Sequence, residues 1–171
     1  MVQISRNHMK TIKVITDQEE ALEIANKAID LIVNRKDNSP VVTGADPSYI
    51  REFIVNEISK YPYSEFRLLG FYDDNDELEG ACLLTEGTPW YNPNLKIMDE
   101  CFTIAFKRGA GIARGVSQFL KTALRCGDAD YVQTGSFNPW CAPMLKNTYT
   151  QEGFHIYNQY YLSKEDLDGI I

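Results

Sequence analysis

Residues 107–113, with the sequence KRGAGIA, join a pattern typical of a β-strand to a pattern typical of an α-helix. The preceding residues 97–106 (IMDECFTIAF) predict a long strand, and residues 112–125 carry apolar side chains at helical spacing. Gly109 and Gly111 give the backbone conformations barred to other residues and allow a ligand to approach closely. The first N–H groups of the helix point at this ligand, and the helix dipole favours an anion. The turn therefore predicts a phosphate site.

Arg108 and Arg114 flank the two glycines and would add charge-assisted hydrogen bonds to the same phosphate group. A tight strand-to-helix turn that needs glycine only for steric reasons is the plain alternative. A P-loop is excluded because GxxxxGK[ST] is absent. A dinucleotide-binding GxGxxG fingerprint is disfavoured, because its third glycine position holds Arg114 and too few residues follow the turn.

Composition indicates one globular domain. The 171 residues are 44% hydrophobic and 12% aromatic, enough to form a core, and we expect residues 11–171 to form a single domain. Residues 1–10 are interpreted as a flexible leader or a cloning remnant. The formal net charge of -7 argues against non-specific nucleic-acid binding, which needs a basic face.

Cysteine and histidine spacing argues against a metal site. The four cysteines form no CxxC pair, and His8 and His155 lie far apart without ligands at metal spacing. The N-terminus has no apolar signal region, and no apolar run is long enough to cross a membrane. We therefore expect a cytoplasmic protein that binds neither metal nor membrane.

The remaining patterns predict the order β-α-α-β-β-β-α-β-α-β in one α/β domain with a mixed sheet. Asp17 and Asp46 are predicted helix N-caps, with Glu20 as the capping-box partner of Asp17 and Pro47 at the first position of the second helix. The predicted strands are residues 11–16, 66–72, 78–85, 97–106, 131–137 and 155–162, and the third and fourth helices are residues 112–125 and 143–151.

Arg108, Gly111 and Ala113 match the [RQ]-x-x-G-x-[GA] signature of the GNAT superfamily of acetyl-CoA-dependent N-acetyltransferases. Residues 149–154 (YTQEGF) resemble the Tyr-x-x-x-Gly-Phe sequence that joins the last helix of that family to its last strand. Asn138 resembles an asparagine often found after the preceding strand. The predicted element order also agrees with the family over most of the chain.

The resemblance implies a splayed mixed sheet flanked by helices, with strand 97–106 diverging from strand 131–137. Acetyl-CoA would be the co-substrate, with its pantetheine arm in that gap and its pyrophosphate on the glycine turn. The implied cofactor-binding residues are Phe102, Thr103, Ile104, Arg108, Gly109, Ala110, Gly111, Ile112, Ala113, Arg114 and Asn138. Residues 138–143 are longer than the usual connection, and Thr148 replaces a common leucine, which puts the exact placement of Tyr149 in question.

Acetyl transfer to an amine needs a base for the amine and a proton donor for the departing thiolate. Tyr149 matches the family position of that donor, and its phenol, with an ordinary pKa of about 10, suits a thiolate. Asp99 and Glu100 are neighbours on a strand, so their side chains point to opposite faces, and Glu100 shares its face with Phe102 and Ile104. Because family members often carry a glutamate on this strand, we interpret Glu100 as the base, with Asp99 or water as alternatives.

The sequence thus predicts an N-acetyltransferase that acts by direct attack, without a covalent enzyme intermediate, on a small-molecule or protein amine. The alternative is a catalytically weak or inactive GNAT-fold structural or interaction protein that binds CoA or nothing. The acidic turn at residues 73–77 and the negative net charge favour a cationic acceptor. The identity of the amine, and whether the chain forms a homodimer, stay open at this point.

Overall fold

The chain folds around one mixed five-stranded sheet, described in a computed structural model for residues 11–34, 45–135 and 142–155. The sheet order is β1-β2-β3-β4-β5, antiparallel from β1 to β4, with β5 parallel to β4. The elements are β1 (Thr11–Val14), α1 (Gln18–Asn34), α2 (Pro47–Ser59), β2 (Phe66–Tyr72), β3 (Leu78–Gly87), β4 (Ile97–Ala105), α3 (Ile112–Cys126), β5 (Tyr131–Gln133) and α4 (Ala142–Gln151).

Each face of the sheet carries its own hydrophobic core. On one face α1 and α2 cover Leu68, Ala81 and Leu83, and on the other α3 covers Leu69 and Cys82. Neighbouring residues of β2 and β3 alternate between the two cores, as the period of a strand requires. Because both faces are covered, these two strands are apolar almost throughout, with β2 buried from Leu68 to its end.

Short polar signals start the helices as predicted, with one difference. The Asp46 carboxylate accepts hydrogen bonds from the N–H groups of Ser48 (2.8 Å) and Tyr49 (3.2 Å). Asp17 accepts the N–H of Glu20 at 2.9 Å. The predicted return half of this capping box is wrong, because the Glu20 carboxylate instead accepts a hydrogen bond from the Tyr72 hydroxyl.

A β-bulge in β4 changes which side chains share a face. Leu83 is opposite Phe102 and Leu84 is opposite Glu100, so Cys101 is an extra residue in β4. Phe102 therefore packs toward the α1 and α2 core with Leu83, while Glu100 lies on the α3 face with Leu84. The prediction that Glu100 shares a face with Phe102 and Ile104 is wrong for this reason.

Several predicted boundaries shift by one or two residues. The first strand ends at Val14, β3 continues to Gly87, β4 ends at Ala105, and the third helix includes Cys126. The fourth helix begins at Ala142, since a proline is tolerated in a first helical turn.

The predicted strand 131–137 ends at Gln133, where its ladder with β4 ends. Residues 136 and 137 lie outside the described residues, as do all but the first residue of the predicted strand 155–162. Not every apolar residue that the helical spacing of residues 112–125 would turn inward is buried, and Leu124 is an exception. Leu124 is 39% exposed, because Val116, Leu120 and Ala123 already fill the inward stripe of the helix.

Close packing of α3 on the sheet depends on Gly115. A Cβ atom at Gly115 would lie 2.7 Å from Cε1 of Phe71, a fully buried ring. We predict that Gly115→Ala lowers the free energy of unfolding by about 1–3 kcal/mol through overpacking. This outweighs the roughly 1 kcal/mol by which alanine favours a helix. Urea denaturation measures the change, and Gly87→Ala, which meets nothing within 4 Å, is the matched control. A more stable Gly115→Ala variant would contradict this packing.

Candidate active site

The glycine turn between β4 and α3 has the backbone geometry of an anion site. Gly109 and Gly111 adopt left-handed conformations, with φ of +78° and +70°. The Gly111 carbonyl accepts the N–H of Arg114 at 3.1 Å, whereas the first N–H groups of α3 have no partner within the helix. A Cβ atom at either glycine would meet no protein atom within 4 Å, so the space beside the turn is open. The turn therefore fits a phosphate group.

Two of the three cationic side chains around this turn form salt bridges with carboxylates of the described residues. Lys107 Nζ lies 2.9 Å from Glu79 Oε1, and Arg114 Nε lies 3.2 Å from Glu152 Oε1. Arg108 is exposed and takes part in none of the salt bridges between described residues. Of the two arginines predicted to contact a phosphate, Arg108 is thus the one whose guanidinium is not committed to a carboxylate.

Strands β4 and β5 are neighbours over a short distance only. Residues 97–99 of β4 pair with Tyr131–Gln133, and no described residue extends this ladder. On the side of β5, the edge of β4 from residue 100 onward thus has no strand partner in the part of the chain that the structure describes. A strand edge of this kind can bond an extended ligand through its N–H and C=O groups. The predicted pantetheine contacts Phe102, Thr103 and Ile104 lie on this length of β4.

Glu100 and Tyr149 meet where the two strands part. The Tyr149 hydroxyl donates a hydrogen bond to Glu100 Oε2 at 2.9 Å, joining α4 to β4. The Thr134 hydroxyl, just beyond β5, donates to the same oxygen. Tyr149 is only 7% exposed, and its ring packs against Phe154 with the centroids 5.5 Å apart. The bulge at Cys101 makes this meeting possible, because it turns Glu100 toward the α3 and α4 side of the sheet.

Burial controls the ionisation of this pair. Desolvation raises the pKa of Glu100 above its ordinary value, while hydrogen bonds from Thr134 and Tyr149 and the nearby Thr103 hydroxyl lower it. The pKa of Tyr149 is also raised, first by desolvation and then by the nearby Glu100 carboxylate. The two hydroxyl hydrogens on Oε2 favour the ionised form of Glu100, and Tyr149 stays protonated at neutral pH.

Two more polar groups border the pair. The Thr103 hydroxyl is buried, acts on the pKa of Glu100, and has no partner within hydrogen-bond geometry. The Cys82 thiol is fully buried, and its pKa is raised by desolvation and by Glu100. Asp99 is exposed, and partial burial raises the pKa of its carboxyl. No cluster of metal-ligating side chains occurs among the described residues.

The acidic turn after β2 lies at the same end of the sheet as the glycine turn. Lys107 is close enough to Asp73 to lower the pKa of that carboxyl, although the first cause is a hydrogen bond from the Glu77 backbone. A cavity of about 410 Å³ lies next to this turn, lined by Glu20, Glu23, Lys27, Tyr72, Asp76, Glu77 and Leu78. The acidic turn therefore neighbours the basic residues of the phosphate site and does not mark a separate acceptor side.

Some predicted features cannot be compared with the structure. Asn138 lies outside the described residues, as does most of the connection 138–143. Thr134 was missed by the sequence analysis, because a threonine in a predicted strand carries no signal of its own.

Among the described residues no helix has the length and apolar character needed to cross a membrane.

Solved structures share this architecture at low sequence identity. A ribosomal-protein-alanine N-acetyltransferase from Brucella melitensis biovar Abortus 2308 has 13% identity and a TM-score of 0.61, covering 91% of this chain and 98% of that one. A predicted acetyltransferase with acetyl-CoA from Clostridium acetobutylicum has 11% identity and a TM-score of 0.60, covering 91% and 96%. An aminoglycoside acetyltransferase from an uncultured soil metagenomic sample has 11% identity and a TM-score of 0.57, covering 92% and 99%.

No protein-family model and no curated protein matches the sequence. The likeness in structure nevertheless extends over nearly the whole of this chain and of each neighbour. The open mixed sheet with helices on both faces is therefore the fold of GNAT-type acetyltransferases, and the predicted fold class is confirmed.

Glu152 ties the end of α4 to α3 and so fixes the position of Tyr149. Its two carboxylate oxygens contact Arg114 Nε at 3.2 Å and Lys121 Nζ at 2.7 Å. The hydrogen bond from Lys121 is the first cause of the lowered pKa of Glu152. A lowered pKa in the folded state stabilises the protein above the pKa of the unfolded state, and this stabilisation is lost as the pH falls through the folded-state pKa.

We predict that Glu152→Gln lowers the free energy of unfolding at pH 7 by about 1 kcal/mol or less, because the ion pairs are partly solvated. The difference from the unsubstituted protein should shrink as the pH falls through the pKa of Glu152. Urea denaturation across this range measures it. Glu23→Gln is the control, because Glu23 pairs only with exposed Lys27 on one helix. An equal loss at low and neutral pH would show that the ion pairs are not its cause.

Proposed function

We propose that this protein is an acetyl-CoA-dependent N-acetyltransferase acting on a primary amine by direct attack. The observation that carries the proposal is the contact between Glu100 and Tyr149 at the point where β4 and β5 part. It combines a partly buried carboxylate with a protonated phenol, the two groups needed to take a proton from an amine and give one to a thiolate. The fold shared with acetyltransferases supports this chemistry.

The binding surface for acetyl-CoA would consist of two parts. The N–H groups of Gly109, Gly111, Ile112 and Ala113 would hold the pyrophosphate, with Arg108 as the available cation, whereas the Ala110 N–H already donates to the Lys107 carbonyl at 3.3 Å. The edge of β4 from residue 100 onward, which has no partner strand among the described residues, would hold the pantetheine arm through backbone hydrogen bonds. The thioester supplies an activated acetyl group, so no covalent enzyme intermediate is needed.

Glu100 and Tyr149 would divide the proton transfers. Burial raises the pKa of the Glu100 carboxyl and makes it a stronger base than an exposed glutamate. Tyr149 is protonated at neutral pH, as an ordinary phenol is, and its hydroxyl would turn from Glu100 to the departing sulfur. Asp99, next in the chain and exposed, remains the alternative base, acting directly or through water.

A cationic acceptor suits this centre. Glu100 contacts hydroxyl groups and no cation among the described residues, and Asp99 adds a second carboxylate nearby. An amine arriving as its ammonium ion would be attracted by both carboxylates before releasing its extra proton to water, which leaves Glu100 free for the proton lost during attack. The proposed acceptor is therefore a primary amine of a positively charged small molecule or of a positively charged protein segment.

We predict that Gly111→Ala weakens acetyl-CoA binding at least tenfold, because the methyl group projects into the phosphate space and disfavours the left-handed turn. Isothermal titration calorimetry measures the dissociation constant. Gly127→Ala is a matched control, since Gly127 has φ of +77°, meets nothing within 4 Å, and caps the other end of α3. Equal affinities in the two variants would place the ligand elsewhere.

We predict that Tyr149→Phe lowers kcat by about 10²–10⁴-fold, the usual contribution of general acid catalysis, with little change in KM for acetyl-CoA. Steady-state assays over a panel of polyamines, aminoglycosides and basic peptides measure both constants. Tyr91→Phe is the control, because Tyr91 is 65% exposed in the loop before β4. A loss below about threefold would remove Tyr149 from the mechanism, and acetyl-CoA binding without turnover of any amine would favour a non-catalytic role.

A further inference from the structure

We propose that Thr134 is a positioning residue of this centre, whose hydroxyl holds the Glu100 carboxylate and then serves the Tyr149 oxygen during turnover. The inference rests on the acetyltransferase function proposed above. It concerns a residue with no counterpart in the motifs that pointed to the fold. Thr134 does not need to contact acetyl-CoA or the amine, because it acts through Glu100 and Tyr149, which do.

The parallel register of β4 and β5 brings Thr134 to Glu100. Asp99 is opposite Gln133 in the last pair of the ladder, so the next residue on each strand is Glu100 and Thr134. The Thr134 hydroxyl donates to Glu100 Oε2, the oxygen that also accepts from Tyr149. No described residue donates a hydrogen bond to Oε1, which leaves that oxygen for the proton of the acceptor.

The groups around Glu100 make the Thr134 hydroxyl important for stabilising the carboxylate. The titratable groups that face the carboxyl are Asp99 and Cys101 on β4, Cys82 on β3 and Tyr149 on α4. None of these groups is a cation, so hydroxyl groups supply the stabilisation of the partly buried carboxylate. Of these hydroxyl groups, Thr134 has the largest effect in lowering the pKa of Glu100.

Thr134 also acts on the second member of the pair. Its hydroxyl and that of Tyr149 both bond Glu100 Oε2, so the two hydroxyl groups are neighbours, and the Thr134 hydroxyl lowers the pKa of Tyr149. A threonine hydroxyl has one hydrogen and rotates freely to suit its acceptor. It can therefore donate to the carboxylate in the resting state and to a phenolate once Tyr149 has given up its proton.

The proton balance closes around these three residues. As the neutral amine forms its bond to the acetyl carbon and the carbon–sulfur bond breaks, Glu100 accepts the proton that the nitrogen loses. Tyr149 gives its proton to the sulfur and becomes a phenolate, while Glu100 is now neutral and no longer needs the donor. Thr134 then donates its hydrogen bond to the Tyr149 phenolate until Glu100 passes the amine's proton to Tyr149. The net result is transfer of one proton from nitrogen to sulfur.

The test compares Thr134→Val, which removes the hydroxyl at nearly constant shape, with Thr134→Ser, which keeps it. Thr134→Val should lower kcat about 10- to 100-fold, the value of a hydrogen bond to a charged group, and leave KM for acetyl-CoA within twofold. The acidic limb of kcat/KM should move to higher pH, because the pKa of Glu100 rises when the donor is lost. Thr134→Ser should stay within threefold of the unsubstituted enzyme. Thr122→Val, on the exposed face of α3, should change nothing.

A second readout needs no turnover. Carbon-13 NMR of the Glu100 carboxyl, assigned with Glu100→Gln, gives its titration directly, and Thr134→Val should shift the midpoint to higher pH whereas Thr134→Ser should not. An inactive unsubstituted protein that shows this shift would reject the proposed function and support the contact of Thr134 with Glu100. An unchanged titration, or a Thr134→Val enzyme with unaltered kcat and pH profile, would overturn the proposal for Thr134.

Discussion

One extra residue in β4 is the constraint from which the site follows. If β4 paired without a bulge at Cys101, Glu100 would lie on the same face as Phe102 and point into the core beneath α1 and α2. A carboxylate there would be surrounded by apolar side chains, at a cost of several kcal/mol. The bulge instead turns Glu100 toward α4, where hydroxyl groups meet it. A local irregularity thus converts a destabilising buried charge into a hydrogen-bonded one.

The stability of this centre is distributed over elements that are far apart in sequence. Tyr149 is carried by α4, whose end is held to α3 by Glu152 through Arg114 and Lys121. Helix α3 in turn rests on Phe71 through the gap left by Gly115. The same helix begins at the glycine turn that fits a phosphate. A shift of α3 on the sheet would therefore disturb both ends of the site, which couples packing of the core to the geometry of the reacting groups.

Local signals in the sequence predicted the elements well. Helix caps such as Asp46 and the glycines at both ends of α3 act through their nearest neighbours, so the sequence alone reveals them. The side on which Glu100 lies could not be predicted, since a bulge depends on how two strands pair and not on one strand's alternation. Thr134 was missed for a similar reason: its role exists only through the parallel register that sets it beside Glu100.

The nearness of the acidic turn to the phosphate site has a consequence for encounter. The protein carries a formal charge of -7, which repels an anionic ligand, and physiological salt screens this repulsion beyond about 8 Å. Close to the turn Arg108 supplies a local positive charge, because it is exposed and joins no salt bridge between described residues, whereas Lys107 is partly neutralised by Glu79. The approach of the ligand would thus be opposed by the net negative charge of the protein, and its capture would be favoured by Arg108. Added salt would ease the approach while weakening the capture, so the two rate constants need not respond to salt in the same way.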